Sequence, residues 1–131
     1  MQEAFKDSKE KSLFCAKAAL EKKAFNVTIL ELKKASSLTD YFLICSGRSD
    51  RQVQAIAEST EKKMGEKGAR PLGEEGMREG RWVLMDYDDV VISVFQESAR
   101  SFYGLEDLWD APRMEIDENA TEIKKLTKDM A

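Results

Sequence analysis

The stretch "DYFLIC", residues 40–45, constrains this chain more than any other, because every side chain after Asp40 is apolar. Successive side chains of a strand point to opposite faces of a sheet. A run that is apolar at each position therefore needs cover on both sides, and belongs inside a sheet. Helices packed on both faces supply that cover.

The flanking sequence provides them. Residues 8–24, "SKEKSLFCAKAALEKKA", place Leu13, Ala16, Leu20 and Ala24 near helical spacing, with Phe14 and Ala18 widening the apolar face. "NVTILEL" (26–32) is β-branched and reads as a strand, and "KKASSLT" (33–39) as a polar connection. After "DYFLIC", Ser49 stands three residues before Gln52 in a capping-box pattern, with Asp50 in the first helical turn. Val53, Ile56, Ala57, Thr60 and Met64 carry that helix to about Lys67, and Gly68 stops it. "ARPLGEEGMREG" (69–80) holds a short edge strand and a loop, since Pro71 and three glycines suit no central ladder position. "RWVLMDYDDVVISVF" (81–95) reads as two strands joined at "DYDD". "QESARSFYGLEDLW" (96–109) gives a last helix ridged by Phe102, Leu105 and Trp109 or Leu108, and weakened at Gly104. The expected architecture is α/β (α+β): a mixed five-stranded sheet with helices packed on it.

The stretch that follows, "SGRSD", raises a chemical question. Strand, glycine-bearing turn and helix start can cradle a phosphate, with Ser46, Gly47 and Ser49 as the candidates. One glycine matches neither a P-loop nor a dinucleotide fingerprint. A nucleotidyltransferase layout would add paired magnesium-binding aspartates, for which Asp86, Asp88 and Asp89 are available. Two metal ions about 3.5–4 Å apart need converging carboxylates, and a third one on a neighbouring strand is not apparent. Acidic residues are also common in tight turns for conformational reasons. The simpler reading makes Ser46, Gly47 and Ser49 a helix-capping turn, worth about 1 kcal/mol for the cap.

Composition removes further chemistry. The chain has no histidine, and its two cysteines, Cys15 and Cys45, fall in an expected helix and strand as small buried hydrophobes. No catalytic residue, metal site or cofactor is expected. Net charge is −4, with lysines mixed among glutamates, which disfavours direct gripping of nucleic acid and leaves docking to a basic protein open. No apolar run approaches the roughly 18 residues of a membrane span, and "MQEAFKDSKE" lacks a signal-peptide core. A cytoplasmic protein is expected.

Three blocks, "TDYFLICSGRSDRQVQAIA", "GRWVLMDYDDVVISVF" and "RSFYGLEDLW", closely resemble the bacterial ribosomal silencing factor, or Iojap-related, family. The resemblance covers residues 9–112, with 1–8 as a flexible N-terminus and 113–131 as a charged tail with weak helical character. It implies a homodimer without enzymatic activity that binds ribosomal protein L-fourteen on the large ribosomal subunit. Joining of the small subunit is thereby blocked, and translation is damped when nutrients are scarce. The implied fold is similar to a nucleotidyltransferase core without its carboxylates. One position departs: Ser93 stands where the family strand usually has histidine.

An acidic domain suits a basic ribosomal partner, with charge steering the encounter and a few anchors supplying affinity. The anchor candidates are Trp82, Leu84, Asp86 and Tyr87 on and beside one strand, with Arg100 and Tyr103 on the last helix. Each has a plainer role open to it. Trp82, Leu84 and Tyr103 could be core, Asp86 could shape the turn, and Arg100 could pair with Glu97 or Glu106. The alternatives from other classes are a magnesium-dependent nucleotidyltransferase and an adaptor dimer for another protein.

Overall fold

The computed structural model describes residues 4–116. The chain runs α1 (Ser8–Glu21), β1 (Phe25–Glu31), β2 (Tyr41–Gly47), α2 (Asp50–Glu66), β3 (Gly73–Glu75), β4 (Trp82–Asp86), β5 (Val90–Gln96), α3 (Glu97–Tyr103), a 3₁₀ turn (Leu105–Asp107) and β6 (Arg113–Ile116). The strands form one sheet in the order β3-β4-β5-β2-β1-β6. At its centre β2 and β5 run parallel, from Tyr41 opposite Val90 to Gly47 opposite Gln96. The other pairs are antiparallel. All seven residues of β2 are buried, as a strand apolar on both faces requires.

The α/β class expected from the sequence is the one that forms, with six strands in place of five. The extra strand is β6. Its sequence "RMEI" alternates, so that Arg113 and Glu115 are exposed while Met114 and Ile116 reach the core. Four residues of alternation beyond Pro112 are too short a signal to read against the charged run that follows. The rest of the tail expectation, residues 117–131, lies outside the described residues. At the other end, where the sequence suggests a loose terminus, the Ala4 N–H donates to the Lys67 carbonyl at 3.0 Å and the Phe5 ring lies 5.4 Å from Phe14.

Local rules position both long helices. Asp7 caps α1 by accepting from the Glu10 N–H at 2.9 Å. Ser49 caps α2, its Oγ accepting from the Gln52 N–H at 3.1 Å. Gln52 returns one residue further back than a capping box does, accepting from the Arg48 N–H at 2.6 Å. Both helices lie on one face of the sheet. There Leu13, Ala16, Val53 and Ile56 pack on Ile29, Leu43, Cys45, Ile92, Val83 and Met85 as one large core. The opposite face has a smaller core of six buried residues: Leu30, Leu32, Phe42, Ile44, Phe95 and Ala99.

Candidate functional site

The face with the smaller core carries most of the residues singled out from the sequence. Strand alternation sends Trp82, Leu84 and Asp86 of β4 to the same side as Val91, Ser93 and Phe95 of β5. Cover here comes from the seven-residue α3 and from Leu105, Trp109 and Ala111 after it. Trp109 meets Phe42 edge-on, with ring centroids 5.6 Å apart. That cover reaches β2 and part of β5 and stops short of β4, where Trp82 and Leu84 remain half-buried.

An aromatic run leads from this core to solvent. Phe95 stacks on Trp82 at 4.9 Å, Trp82 meets Tyr103 at 4.8 Å, and Tyr103 meets Phe102 edge-on at 5.2 Å. Tyr103 is 45% exposed, Phe102 81% and nearby Leu108 65%. The Trp82 indole N–H donates to Ser93 Oγ at 3.2 Å. Large apolar side chains left this open are candidates for contact with another molecule.

Of the residues singled out from the sequence, Trp82, Leu84 and Asp86 share one face of β4, and Tyr103 packs on Trp82 at the end away from Asp86. Asp86 also shapes the hairpin, accepting from the Asp88 N–H at 2.8 Å beside the left-handed φ of 74° at Asp88. Tyr87 goes elsewhere. Only 2% exposed, it lies in the core beneath α1 and α2, and burial pushes its hydroxyl pKa up. Alternation from Val83 and Met85 was the signal that places Tyr87 on that face.

Arg100 turns inward as well. Its Nε and Nη2 reach Glu106 Oε2 at 2.9 and 2.8 Å, Nη1 donates to Ser46 Oγ at 3.0 Å and to the Asn26 carbonyl, and Nη2 donates to Thr28 Oγ1 at 3.2 Å. A guanidinium has five N–H donors, and four of them are used in these hydrogen bonds. Arg100 is a clamp that fixes α3 to β1 and β2.

The turn candidates separate too. Ser46 lies in β2 and serves Arg100 rather than the turn. Gly47 ends β2, and a Cβ there would stand 3.0 Å from Val53 Cγ2 and 3.2 Å from the Val53 nitrogen. Close approach of α2 requires this glycine, with no unusual φ involved. Ser49 is engaged as the cap. A cleft of about 920 Å³ opens beside the turn, lined by Ser46, Arg48, Glu97, Arg100, Asp107 and Glu115. The aspartates sit far from it. Asp86 pairs with Val91 at the start of β5 and Gly47 with Gln96 at its end, so about 17 Å of strand separates them. Asp89 is held instead by Lys11, whose Nζ donates to Asp89 Oδ1 at 2.7 Å and to the Tyr87 carbonyl at 3.0 Å. The nucleotidyltransferase constellation is not assembled.

Sequence reasoning missed Lys11, 2% exposed, and Phe102, the most open aromatic of the run. Lys11 looked like part of a solvated lysine–glutamate face. Its burial depends on residues 76 and 78 positions away.

The family model described as ribosomal silencing factor during starvation matches residues 5–131. The chain belongs to this family. A ribosomal silencing factor of Bacillus subtilis is 46% identical over 103 residues, covering 78% of this chain and 87% of that protein. The chloroplastic Iojap protein of Zea mays is 33% identical over 94 residues, covering 72% of this chain and 41% of that protein. A crystal structure of a Chromobacterium violaceum protein superposes with a TM-score of 0.78 at 31% identity, covering 88% of this chain and 94% of that one. Among the described residues, no helix is long and apolar enough to cross a membrane.

Proposed function

We propose that this chain represses translation by docking its half-covered sheet face on ribosomal protein L-fourteen of the large ribosomal subunit. The bound protein, a homodimer in the cytoplasm, then stands where the small subunit would join. As a family member the chain is a ribosome-associated regulatory factor of translation. The mechanism is occlusion, in which no bond is made or broken.

The observation that carries the reading is the aromatic run Phe95–Trp82–Tyr103–Phe102, half-open to solvent beside Leu84. Interfaces draw most of their affinity from such aromatic anchors, ringed by polar residues. The chain carries a net charge of −4, and Asp86 lies on the same face of β4 as Trp82 and Leu84, at the hairpin end. A basic ribosomal protein would be steered to that side, at a rate that falls with added salt.

Sedimentation with purified subunits tests this directly. The chain is expected to co-migrate with large subunits and to lower the yield of joined ribosomes in proportion to its occupancy. Absence of binding, or binding that leaves subunit joining untouched, overturns the proposal.

A further inference from the structure

We propose that Ser93 is a positioning residue of the docking face: its hydroxyl fixes the orientation in which Trp82 is presented to the partner. The inference rests on the docking reading above. Ser93 is wholly buried and so cannot itself touch a partner. It is the polar residue in the otherwise apolar run "VVISVF" of a strand buried at most positions. A hydroxyl in such a place calls for a hydrogen-bonding reason. The Trp82 indole supplies one, donating Nε1–H to Ser93 Oγ at 3.2 Å.

The geometry says what that bond adds. Trp82 stands opposite Phe95 in the β4–β5 register, and Ser93 stands opposite Leu84. The indole therefore lies diagonally over the strand pair, within the reach of a long side chain to its diagonal neighbour. Phe95 stacks beneath it with planes 21° apart, and Tyr103 bounds it on the α3 side. Stacking alone fixes the plane of the ring and not which edge faces outward. The terminal torsion of tryptophan is broad and roughly two-fold, so a half-turn would keep the stack and exchange the edges. The N–H bond to Ser93 is made in one of the two and lost in the other. An anchor already held in one orientation loses less conformational freedom on binding.

The same face repeats this arrangement. Ser46, buried on β2, accepts from Arg100 and so fixes α3, which carries Tyr103. Two buried serines thus set the two half-open aromatic side chains, one directly and one through an arginine.

A double-mutant cycle on the full chain tests the role. Ser93→Ala is expected to weaken binding to purified large subunits about fivefold, near 1 kcal/mol, the net worth of one neutral hydrogen bond. In a Trp82→Phe background, where the ring has no N–H, Ser93→Ala should change affinity by less than about 1.5-fold. Equal losses in both backgrounds would assign Ser93 to general support of the sheet and overturn the proposal. The second readout needs no ribosome. With Trp109→Phe leaving Trp82 as the remaining tryptophan, Ser93→Ala should raise acrylamide quenching of its emission, and Ser93→Thr should restore it. Unchanged quenching overturns the proposal too. Affinity left intact by Trp82→Ala would instead sink the docking face itself, whatever the quenching shows.

Discussion

The two faces of this sheet are built from the same strands and do opposite things. Leu43 and Phe42 are neighbours on β2 and point to opposite sides. Leu43 goes into the large core beneath α1 and α2, helices of 14 and 17 residues. Phe42 goes into the small core beneath α3, a helix of seven residues whose cover ends before β4. The first face is closed, and Lys11 is tied down within it, to Asp89 and the Tyr87 carbonyl. The second keeps Trp82, Leu84, Tyr103 and Phe102 partly open. One sheet thus has one face closed by long helices and one left partly open.

That separation can be broken from either side. On the closed face Leu43→Ala should cost about 3 kcal/mol of unfolding free energy, because the cavity it leaves is walled by two long helices and cannot collapse. Urea unfolding followed by far-ultraviolet circular dichroism measures it. A loss below 1 kcal/mol would mean the closed face is looser than the packing indicates. On the open face the largest expected stability effect comes from a polar residue. Arg100→Ala strands Glu106 Oε2, Ser46 Oγ and Thr28 Oγ1 under α3, and should cost about 2 kcal/mol. It should also weaken ribosome binding without being a contact. A variant with full stability and lost binding would return Arg100 to the interface.

These two residues also show how far the sequence can be read. The burial of Leu43 was legible from "DYFLIC", since a two-sided apolar run has one stable place in a sheet. The shared face of Trp82 and Leu84 was legible from alternation, and the α2 cap from Ser49 and Gln52. The pairing of Arg100 with Glu106 was one of two local options open to it; its other acceptors, Asn26, Thr28 and Ser46, were not legible, because they lie 54 to 74 positions away and meet only when β1, β2 and α3 are assembled. Local pattern gives elements and faces. It does not say which polar side chains will find each other across the sheet, and for that reason Arg100 looked like a surface residue, whereas the place of Tyr87 follows from the alternation of Val83 and Met85.

Phe102 sharpens the comparison by uncoupling the two properties. It is 81% exposed and touches Tyr103 edge-on, so Phe102→Ala removes little buried area. Stability should change by no more than about 0.5 kcal/mol. If the open face docks, subunit affinity should fall about tenfold, or about 1.4 kcal/mol, in the sedimentation assay. A variant that binds as well as the parent would move the anchor inward, to Trp82 and Leu84 alone.

The weakest expected effect lies on the closed face and shows itself only in alkali. Burial, with Glu31, Asp7 and Asp40 nearby, pushes the Tyr41 hydroxyl up to about 12. Burial also raises that of Tyr87. An unfolded tyrosine ionises near pH 10. Below that value both forms are protonated and the closed face is at full strength. As pH rises from about 10 toward 12, the unfolded chain loses these protons first, so stability should fall across that window and not below it. Tyrosinate absorbance at 295 nm, recorded beside circular dichroism during alkaline titration, separates the outcomes. Tyr41 and Tyr87 should ionise together with loss of structure, and Tyr41→Phe should push the unfolding transition to higher pH. Ionisation of Tyr41 and Tyr87 near pH 10 with the fold intact would show that the closed face admits water, and the contrast between the two faces would be lost.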